Sequence, residues 1–331
     1  MNSVVVGHNS ALEYWRCVGP RFLGTPRQRR NATLKAQRIL SSAAKPKLAG
    51  GNRRPAGCQL PLHVMVGSNA ARTRTRSIVS HTCEGGGYAN KMPSSFVEAG
   101  GDFLIASPEL CFAQFSPSLT VGQLVQLGFE LCGTYALRPG APALNRDEPL
   151  TSAAKLSAYL QKFTNIPGHK KAQRAAHYVI DGSASPMETL LAMLLTLPYA
   201  MGGYGIPSPQ LNFKVDVPPS KRNRADRASC VCDLCWPEHK LCLEYDSARY
   251  HLDPVQQESD ARRRNILATL GYTVITVSPR QLLDSGAFNR LAHQVAGYMG
   301  KRLRYSDPKF THTHLAVRSE LFSDNPAPLE T

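Results

Sequence analysis

The sequence lacks an apolar run long enough to cross a membrane. Its longest run, from Leu190 to Met201, spans only about a dozen residues and contains Pro198, whereas a membrane-spanning helix needs about 18. The first residues, Met1–His8, also lack the positively charged start and the long apolar centre of a secretory signal. We therefore expect a protein that is neither membrane-bound nor exported.

Acidic residues are almost missing from the first quarter of the chain. Among residues 1–80, fourteen Lys and Arg stand against one acid, Glu13, so this segment accounts for +13 of the formal net charge of +15. An excess of this kind attracts polyanions without specifying a fold. We expect a nucleic-acid partner, DNA first and RNA as the alternative; the charge carries no indication of the oligomeric state.

The nine cysteines make an odd number in a chain of 331 residues, which argues against a secreted disulfide framework. The reducing cytoplasm is therefore the expected compartment. Hydrophobic residues make up 42% of the chain and charged ones 19%, which supplies enough apolar side chains for packed cores. The length suggests about two domains.

Proline, glycine and charge divide the chain into four predicted segments. Residues 1–57 are expected to form a short helix followed by a basic flexible linker, which we favour over an organellar targeting segment. Residues 58–182 are predicted to form an α+β domain, and residues 183–305 an α/β domain with a mixed sheet flanked by helices. Residues 306–331 show no clear periodicity and are predicted to be a disordered tail.

The last third carries the clearest pattern of helices and strands. Ser185-Pro186-Met187-Glu188 is typical of a helix start, with Ser185 as the cap and Pro186 at the first helical position. Strand-like apolar runs then alternate with turn residues. The predicted order is helix 186–197, strands 211–217, 229–236 and 241–246, helix 253–270, strand 273–277 and helix 287–299.

The predicted hairpin brings two acids together. If its turn, 237–240, closes symmetrically, Cys235 lies opposite Cys242 and Asp233 opposite Glu244, with the Cβ atoms of opposed residues about 4.5–5.5 Å apart. Two carboxylates at that distance repel unless a cation or a proton lies between them, and Mg²⁺ prefers oxygen ligands. The alternative is that these acids pair with the arginines at 262–264 or face the solvent.

The acidic hairpin belongs to a longer set of motifs between residues 183 and 303. The set comprises Asp233, Glu244-Tyr245-Asp246, His251, Asp260-x-x-Arg263, Leu267 and Gly271-Tyr272-x-Val274-Ile275. It resembles the endonuclease-like domains related to very-short-patch-repair nucleases, which belong to the PD-(D/E)XK, or restriction-endonuclease-like, superfamily. The resemblance implies a restriction-endonuclease-like fold and hydrolysis of DNA phosphodiesters with Mg²⁺ or Mn²⁺.

The resemblance also implies roles for individual residues. Asp233 and Glu244 would hold the metal ion, which activates the attacking water, and His251 would act as a base or steer that water. The implied catalytic set is Asp233, Glu244, Asp246 and His251, with Glu188, Asp260 and Arg263 in support.

Two positions depart from the superfamily pattern. Asp246 stands where the superfamily has a catalytic lysine, and Ser247 stands where the related subgroup commonly has glycine. No residue of the motif therefore takes the role of the superfamily's catalytic lysine. The alternative function is a non-catalytic DNA-binding transcriptional regulator or antitoxin that retains the nuclease fold.

The middle region carries a second resemblance. His63, Ser80-His81 and Ala106-Ser107-Pro108-Glu109-Leu110 ahead of a helix are similar to the middle part of AbiEi-type antitoxin and transcriptional-regulator proteins of bacteria. That family implies DNA binding and a role in defence or toxin–antitoxin regulation.

Two basic clusters are candidates for contacts with nucleic-acid phosphates. Arg72, Arg74 and Arg76 alternate along a predicted strand and would share one of its faces, although a solvated edge strand would show the same pattern. The second cluster follows the strand predicted at 211–217 and consists of Lys221, Arg222 and Arg224.

Cys232-x-x-Cys235, followed by His239 and Cys242, suggests a zinc site. The spacer between the pairs is three residues, far shorter than the roughly 12–20 residues of structural zinc sites. Strand alternation also predicts opposite faces for Cys232 and Cys235. We therefore expect small buried hydrophobic residues here, with a cross-strand disulfide between Cys235 and Cys242 under oxidation.

Overall fold

The computed structural model describes residues 3–48, 53–83, 93–100, 102–222, 228–246 and 254–323. The chain divides into two compact units, Met1–Val179 and Ile180–Thr331. Both units combine helices with strands, so the predicted mixture of α and β structure is confirmed. No helix in the described ranges combines the length and the hydropathy that a membrane crossing requires.

The first unit is built around a five-stranded sheet. Its strands are β1 (Val4–Val6), β2 (Leu62–Val66), β3 (Ile78–Thr82), β4 (Phe96–Ala99) and β5 (Phe103–Ala106), and a separate hairpin is formed by β6 (Tyr135–Arg138) and β7 (Ala141–Asn145). Its helices are α1 (His8–Val18), α2 (Pro26–Leu40), α3 (Pro108–Phe115), α4 (Val121–Cys132), α5 (Ala153–Lys162) and α6 (His169–Ala176). The sheet order is β3-β2-β1-β5-β4, so β1 is the central strand.

Much of the predicted N-terminal linker is helical, and that prediction is wrong. Thr25 caps α2 and shares a capping box with Gln28, while Pro26 occupies the first helical position. Ala36 and Leu40 on the inner face of this helix are buried. Together with the buried strand β1, α2 makes this segment part of the core of the first unit.

Buried acids neutralise two arginines of the basic segment. Arg16 donates two hydrogen bonds of 2.7 Å to the carboxylate of Glu130, and Arg29 donates one of 2.8 Å to Glu109. Burial raises the pKa of Glu109, but the Arg29 guanidinium and neighbouring hydrogen bonds outweigh it and leave that pKa below its usual value. Part of the basic excess therefore serves packing within the first unit.

The arginines at 72, 74 and 76 are exposed, but they do not share one face of a regular strand as predicted. Arg74 forms an isolated antiparallel bridge with Val79. The chain turns back between them, because the Thr75 hydroxyl accepts a hydrogen bond from the N–H of Ile78, where β3 begins. The three guanidinium groups lie at the surface on an irregular segment.

The second unit contains a four-stranded sheet in the order β11-β10-β9-β8. Its elements are α7 (Pro186–Thr196), β8 (Gln210–Asp216), α8 (Pro219–Arg222), β9 (Ser229–Trp236), β10 (Leu241–Tyr245), α9 (Pro254–Thr269), β11 (Thr273–Val277), α10 (Pro279–Leu283), α11 (Ser285–Tyr298) and α12 (Lys309–Ser323). Strands β8 to β10 are antiparallel neighbours, and β11 runs parallel to β10. The predicted helices and strands occur in the predicted order, and the structure adds the short helices α8 and α10 between them.

The predicted disordered tail contains helix α12, so that prediction is wrong for residues 309–323. Phe310 and His314 are buried, and the His314 ring nitrogen Nδ1 lies 2.6 Å from the carbonyl oxygen of Gly202. Arg318 packs over the ring of Phe288 at 5.4 Å from its centroid. These contacts hold the helix against the rest of the second unit.

Candidate active site

The hairpin of β9 and β10 has the predicted register at its three paired positions, which do not include the predicted pair of Asp233 and Glu244. Cys235 pairs with Cys242 and Leu234 with Leu243, as a four-residue turn closing symmetrically requires. Beyond these pairs, the Asp233 side chain accepts a hydrogen bond of 2.8 Å from the backbone N–H of Tyr245. Asp233 is thereby fixed beside Glu244, the residue that precedes Tyr245.

Strand alternation breaks down along β9 at Asp233. Cys232 and Cys235 are three positions apart, yet both belong to one buried cluster with Val215 and Leu267. The prediction that these two cysteines occupy opposite faces is therefore wrong. The interruption lies between them, and it contains Asp233.

Glu188 reaches this region from the start of α7. Its backbone N–H donates to the capping hydroxyl of Ser185 at 3.1 Å, as the helix-start motif predicts. Its Oε2 atom accepts hydrogen bonds from the N–H of Ala184 at 2.8 Å and from the Asn212 side-chain amide at 2.7 Å. Burial, followed by the charge of Asp233, raises the pKa of Glu188 from 4.5 to about 7.

Glu244 is the most buried acid of the hairpin and pairs with Arg263 of α9. The Arg263 Nη2 atom lies 2.9 Å from Glu244 Oε2 and 3.6 Å from the Asp260 carboxylate. Burial raises the pKa of Glu244 to about 7 despite the opposing charge of Arg263, and the charge of Asp233 adds to the rise. Burial also raises the pKa of Asp233, against the Tyr245 N–H and Arg263.

Two polar atoms at the centre of this site are buried and unsatisfied. Glu244 Oε1 and Arg263 Nε have no hydrogen-bond partner among the residues that the structure describes. Buried polar groups are normally paired, so a carboxylate oxygen in this state is suited to bind an additional cation or donor.

Of the remaining predicted site residues, Asp246 lies beside the site, and the side chains of the others lie outside the part of the chain that the structure describes. Asp246 is half-buried just after β10, where its N–H donates to the carbonyl of Val277 at 3.0 Å. His251 and Arg224 lie outside the described residues, and the side chains of Lys221 and Arg222 on α8 do as well. The structure thus brings together Glu188, Asp233, Glu244, Asp260 and Arg263.

Asn212 is the residue of this site that sequence reasoning missed. It adopts a left-handed backbone conformation, with φ of 47°, which Asn tolerates better than most residues. Its amide bridges the Glu188 carboxylate and the carbonyl of Gly182, the latter at 2.9 Å. An Asn inside a strand-like run was the available signal.

Within the described ranges, no group of three or more His, Cys, Asp and Glu side chains has an arrangement that could hold a metal ion. An ion held by these described residues alone would therefore have fewer than three such ligands, as Mg²⁺ often does. No protein-family model, curated protein or solved structure matches this chain.

Proposed function

We propose that the second unit is a Mg²⁺- or Mn²⁺-dependent endonuclease of the restriction-endonuclease-like fold that hydrolyses DNA phosphodiesters. The observation that carries this proposal is the grouping of Glu188, Asp233 and Glu244, whose pKa values are all raised. Shifted acids that share a site are typical of catalytic centres. The order α7-β8-α8-β9-β10-α9-β11, apart from the four-residue helix α8, also agrees with the fold that the motif resemblance implies.

The donor set suits a hard divalent cation. Asp233 and Glu244 offer carboxylate oxygens from adjacent strands, and Glu244 Oε1 has no partner among the described residues. Arg263 occupies the other oxygen, Oε2, so it orients the carboxylate and leaves Oε1 available. When bound, Mg²⁺ would polarise the phosphate and lower the pKa of its water.

Glu188 and Asn212 would position the site and hold a proton. With a pKa of about 7, Glu188 carries a proton in about half of the molecules at neutral pH. The Asn212 amide fixes its Oε2 atom, so the carboxyl presents its other oxygen in a defined direction. This arrangement suits exchange of a proton at Glu188 beside the charged Asp233.

A second candidate function is the non-catalytic DNA-binding regulator. The contact between Arg263 and Glu244 favours it, because the guanidinium at 2.9 Å already supplies a cation to the acid that would bind the metal. In that case the ion pair replaces the metal permanently. DNA binding would then persist without cleavage.

Titration with Mn²⁺, combined with a cleavage assay, separates these two functions. We expect wild-type protein to bind Mn²⁺ and to cut DNA, with cutting abolished by chelation. Asp233→Asn should bind Mn²⁺ at least about tenfold more weakly, since the amide has no negative charge, while its oxygen can still accept the Tyr245 N–H. Duplex, mismatched and single-stranded DNA and RNA should all be offered as substrates.

Two outcomes of this experiment would contradict the proposed endonuclease function at β9. A wild-type protein that binds DNA but neither binds Mn²⁺ nor cuts any substrate is the regulator. Cutting that is identical in Asp233→Asn would move the active site away from β9.

Helix α2 offers a surface for DNA phosphates in the first unit. Arg27, Arg30, Leu34 and Arg38 lie on its exposed face, since they repeat at helical spacing. The first and last of these arginines are about 16 Å apart along the helix axis at 1.5 Å per residue. No ion pair ties the three arginines to another described residue, so they are free to bind phosphates.

We expect replacement of Arg27, Arg30 and Arg38 by glutamine to weaken DNA binding and flatten its salt dependence. Each lost phosphate contact lowers the slope of log K against log salt by about 0.9, so the triple variant should lose about 2–3. Fluorescence anisotropy at several salt concentrations measures this slope. Deletion of residues 1–57 would not test the same surface, because it also removes β1, the central strand of the first unit's sheet.

The matched control removes three exposed positive charges elsewhere in the first unit. Lys162, Lys170 and Arg174 are exposed residues of α5 and α6, and their replacement by glutamine changes the net charge equally. This control should alter the slope by less than about 1. Equal slopes for both triple variants would contradict a phosphate contact at α2.

A further inference from the structure

Three sulfur atoms meet in the core behind the acidic hairpin. Cys242 Sγ on β10 lies 3.0 Å from Cys232 Sγ and 3.4 Å from Cys235 Sγ, both on β9. All three side chains are fully buried and reduced. Apolar residues pack against them, including Val215 of β8 and Leu267 of α9, and Cys232 also lies near enough to Asp233 and Glu244 to raise the pKa of both carboxyl groups.

This arrangement differs from that of an isolated buried cysteine. Cys111, which is equally buried, donates its thiol to the carbonyl oxygen of Ala106 at 3.6 Å, as a small hydrophobic residue with a weak donor does. In the cluster each sulfur instead has another sulfur as its neighbour. Two thiols held this close can lose two electrons to an oxidant and form a disulfide bond.

The register of the hairpin selects which pair can join. Cys235 and Cys242 are direct partners across β9 and β10, and the Cα atoms of such partners are about 4.5–5.5 Å apart, within the range of about 4.4–6.8 Å for disulfides. Cys232 lies three positions from the partner of Cys242. The register therefore favours Cys235 as the partner of Cys242, although the sulfur of Cys232 lies nearer.

We propose that Cys235 and Cys242 form a reversible redox site, closed to a disulfide by hydrogen peroxide, that locks the hairpin carrying Asp233 and Glu244. One thiol attacks the peroxide, breaking the O–O bond to give a sulfenic acid and one molecule of water. The second thiol attacks that sulfur, which forms the S–S bond and releases a second water. The two thiols lose two electrons and the peroxide gains them.

The consequence for the hairpin follows from distance. The two sulfurs must approach from 3.4 Å to about 2.05 Å, which cross-links the strands two positions from Asp233 and from Glu244. The bond adds a covalent tie at the middle of the three paired positions that join β9 and β10. The inference does not depend on the proposed function, because bond formation is measured by mass.

Peptide mapping of the full chain after treatment with hydrogen peroxide tests the proposal. Free thiols are alkylated in denaturant, and the protein is cut before aspartate residues. This cleavage separates Cys230 and Cys232, in peptide 226–232, from Cys235 and Cys242, in peptide 233–245. We expect peptide 233–245 to lose two hydrogens and to resist alkylation, and dithiothreitol to restore two alkylated thiols.

Matched variants and a control peptide complete the test. Cys232→Ser should keep the bond, whereas Cys235→Ser and Cys242→Ser should each abolish it. Peptide 102–146, which contains Cys111 and Cys132, should stay fully alkylated. A cross-link between peptides 226–232 and 233–245, two alkylated thiols in peptide 233–245 after peroxide, or stoichiometric zinc in the reduced protein would each overturn the proposal.

Discussion

Glu244→Gln should abolish metal-dependent DNA cleavage, with a loss of more than about 100-fold in the cleavage rate. The glutamine oxygen can still accept a hydrogen bond from Arg263, so the hairpin and α9 stay together. The negative charge that would hold the cation is lost, because Glu244 Oε1 is the buried oxygen without a partner among the described residues. Single-turnover cleavage at saturating Mg²⁺ measures the effect.

The hairpin supplies its own control for this experiment. Glu238 is exposed in the turn between β9 and β10, so Glu238→Gln changes the net charge equally without touching the site. We expect it to cleave at the wild-type rate. The salt dependence of DNA binding should be the same in both variants, since α2 is unchanged.

A Glu244→Gln protein that cuts as fast as Glu238→Gln would remove Glu244 from the chemistry. If both variants and the wild type are inert on every substrate while binding DNA normally, the regulator becomes the better account. Loss of DNA binding in Glu244→Gln alone would instead indicate that the hairpin contacts DNA directly.

Glu188→Gln should stabilise the second unit at pH 8 and leave its stability unchanged at pH 4.5. Burial and Asp233 raise the pKa of Glu188 from 4.5 to about 7, so the folded protein binds this proton more tightly than the unfolded chain does. The stability from that proton is fully present below about pH 4.5 and is lost as the pH rises through 7. At 1.36 kcal/mol per pKa unit, the loss is about 3 kcal/mol.

Glutamine imitates the protonated acid at every pH. Its side-chain oxygen can accept the same two hydrogen bonds, from Ala184 and Asn212, so packing is kept while the charge is removed. Urea unfolding at the two pH values measures the difference between variant and wild type. We expect about 2–3 kcal/mol of stabilisation at pH 8, and Glu238→Gln should show no such gain.

Magnesium should reduce the difference in unfolding free energy between Glu188→Gln and the wild type at pH 8. A cation held beside Asp233 and Glu244 stabilises the folded wild type at pH 8, when the acids are charged, and would help Glu188→Gln less. A Glu188→Gln protein that is equal to or less stable than wild type at pH 8 would contradict the raised pKa.

The hairpin shows how much of the site was accessible from sequence. Its register follows from the length of the turn, and the pairing of Cys235 with Cys242 is as predicted. The position of Cys232 was not accessible, because strand alternation carries no information on the tertiary cluster that Cys232 and Cys235 share with Leu267 of α9. Arg263 was predicted as a supporting residue of the site. Its ion pair with Glu244 in particular depends on how α9 lies over the strands.

The errors in the fold have local physical causes. Proline content favours a linker around Pro26, although Thr25 and Gln28 beside it form a helix start. In α12, Phe310, His314, Val317 and Leu321 are buried at helical spacing, but a histidine within the apolar stripe hides the repeat. Both helices can be predicted from the sequence only if capping residues and helical periodicity are given more weight than proline content.

The central place of β1 has a consequence for synthesis on the ribosome. β1 is synthesised before its parallel partner β5, which lies about 100 residues later in the chain, with Val4 paired to Phe103. At about 5–20 residues per second, translation takes about 5–20 s to deliver that partner. During this interval three valines that belong in the middle of a sheet have no parallel neighbour, which makes the nascent first unit a substrate for chaperones that bind exposed apolar strands.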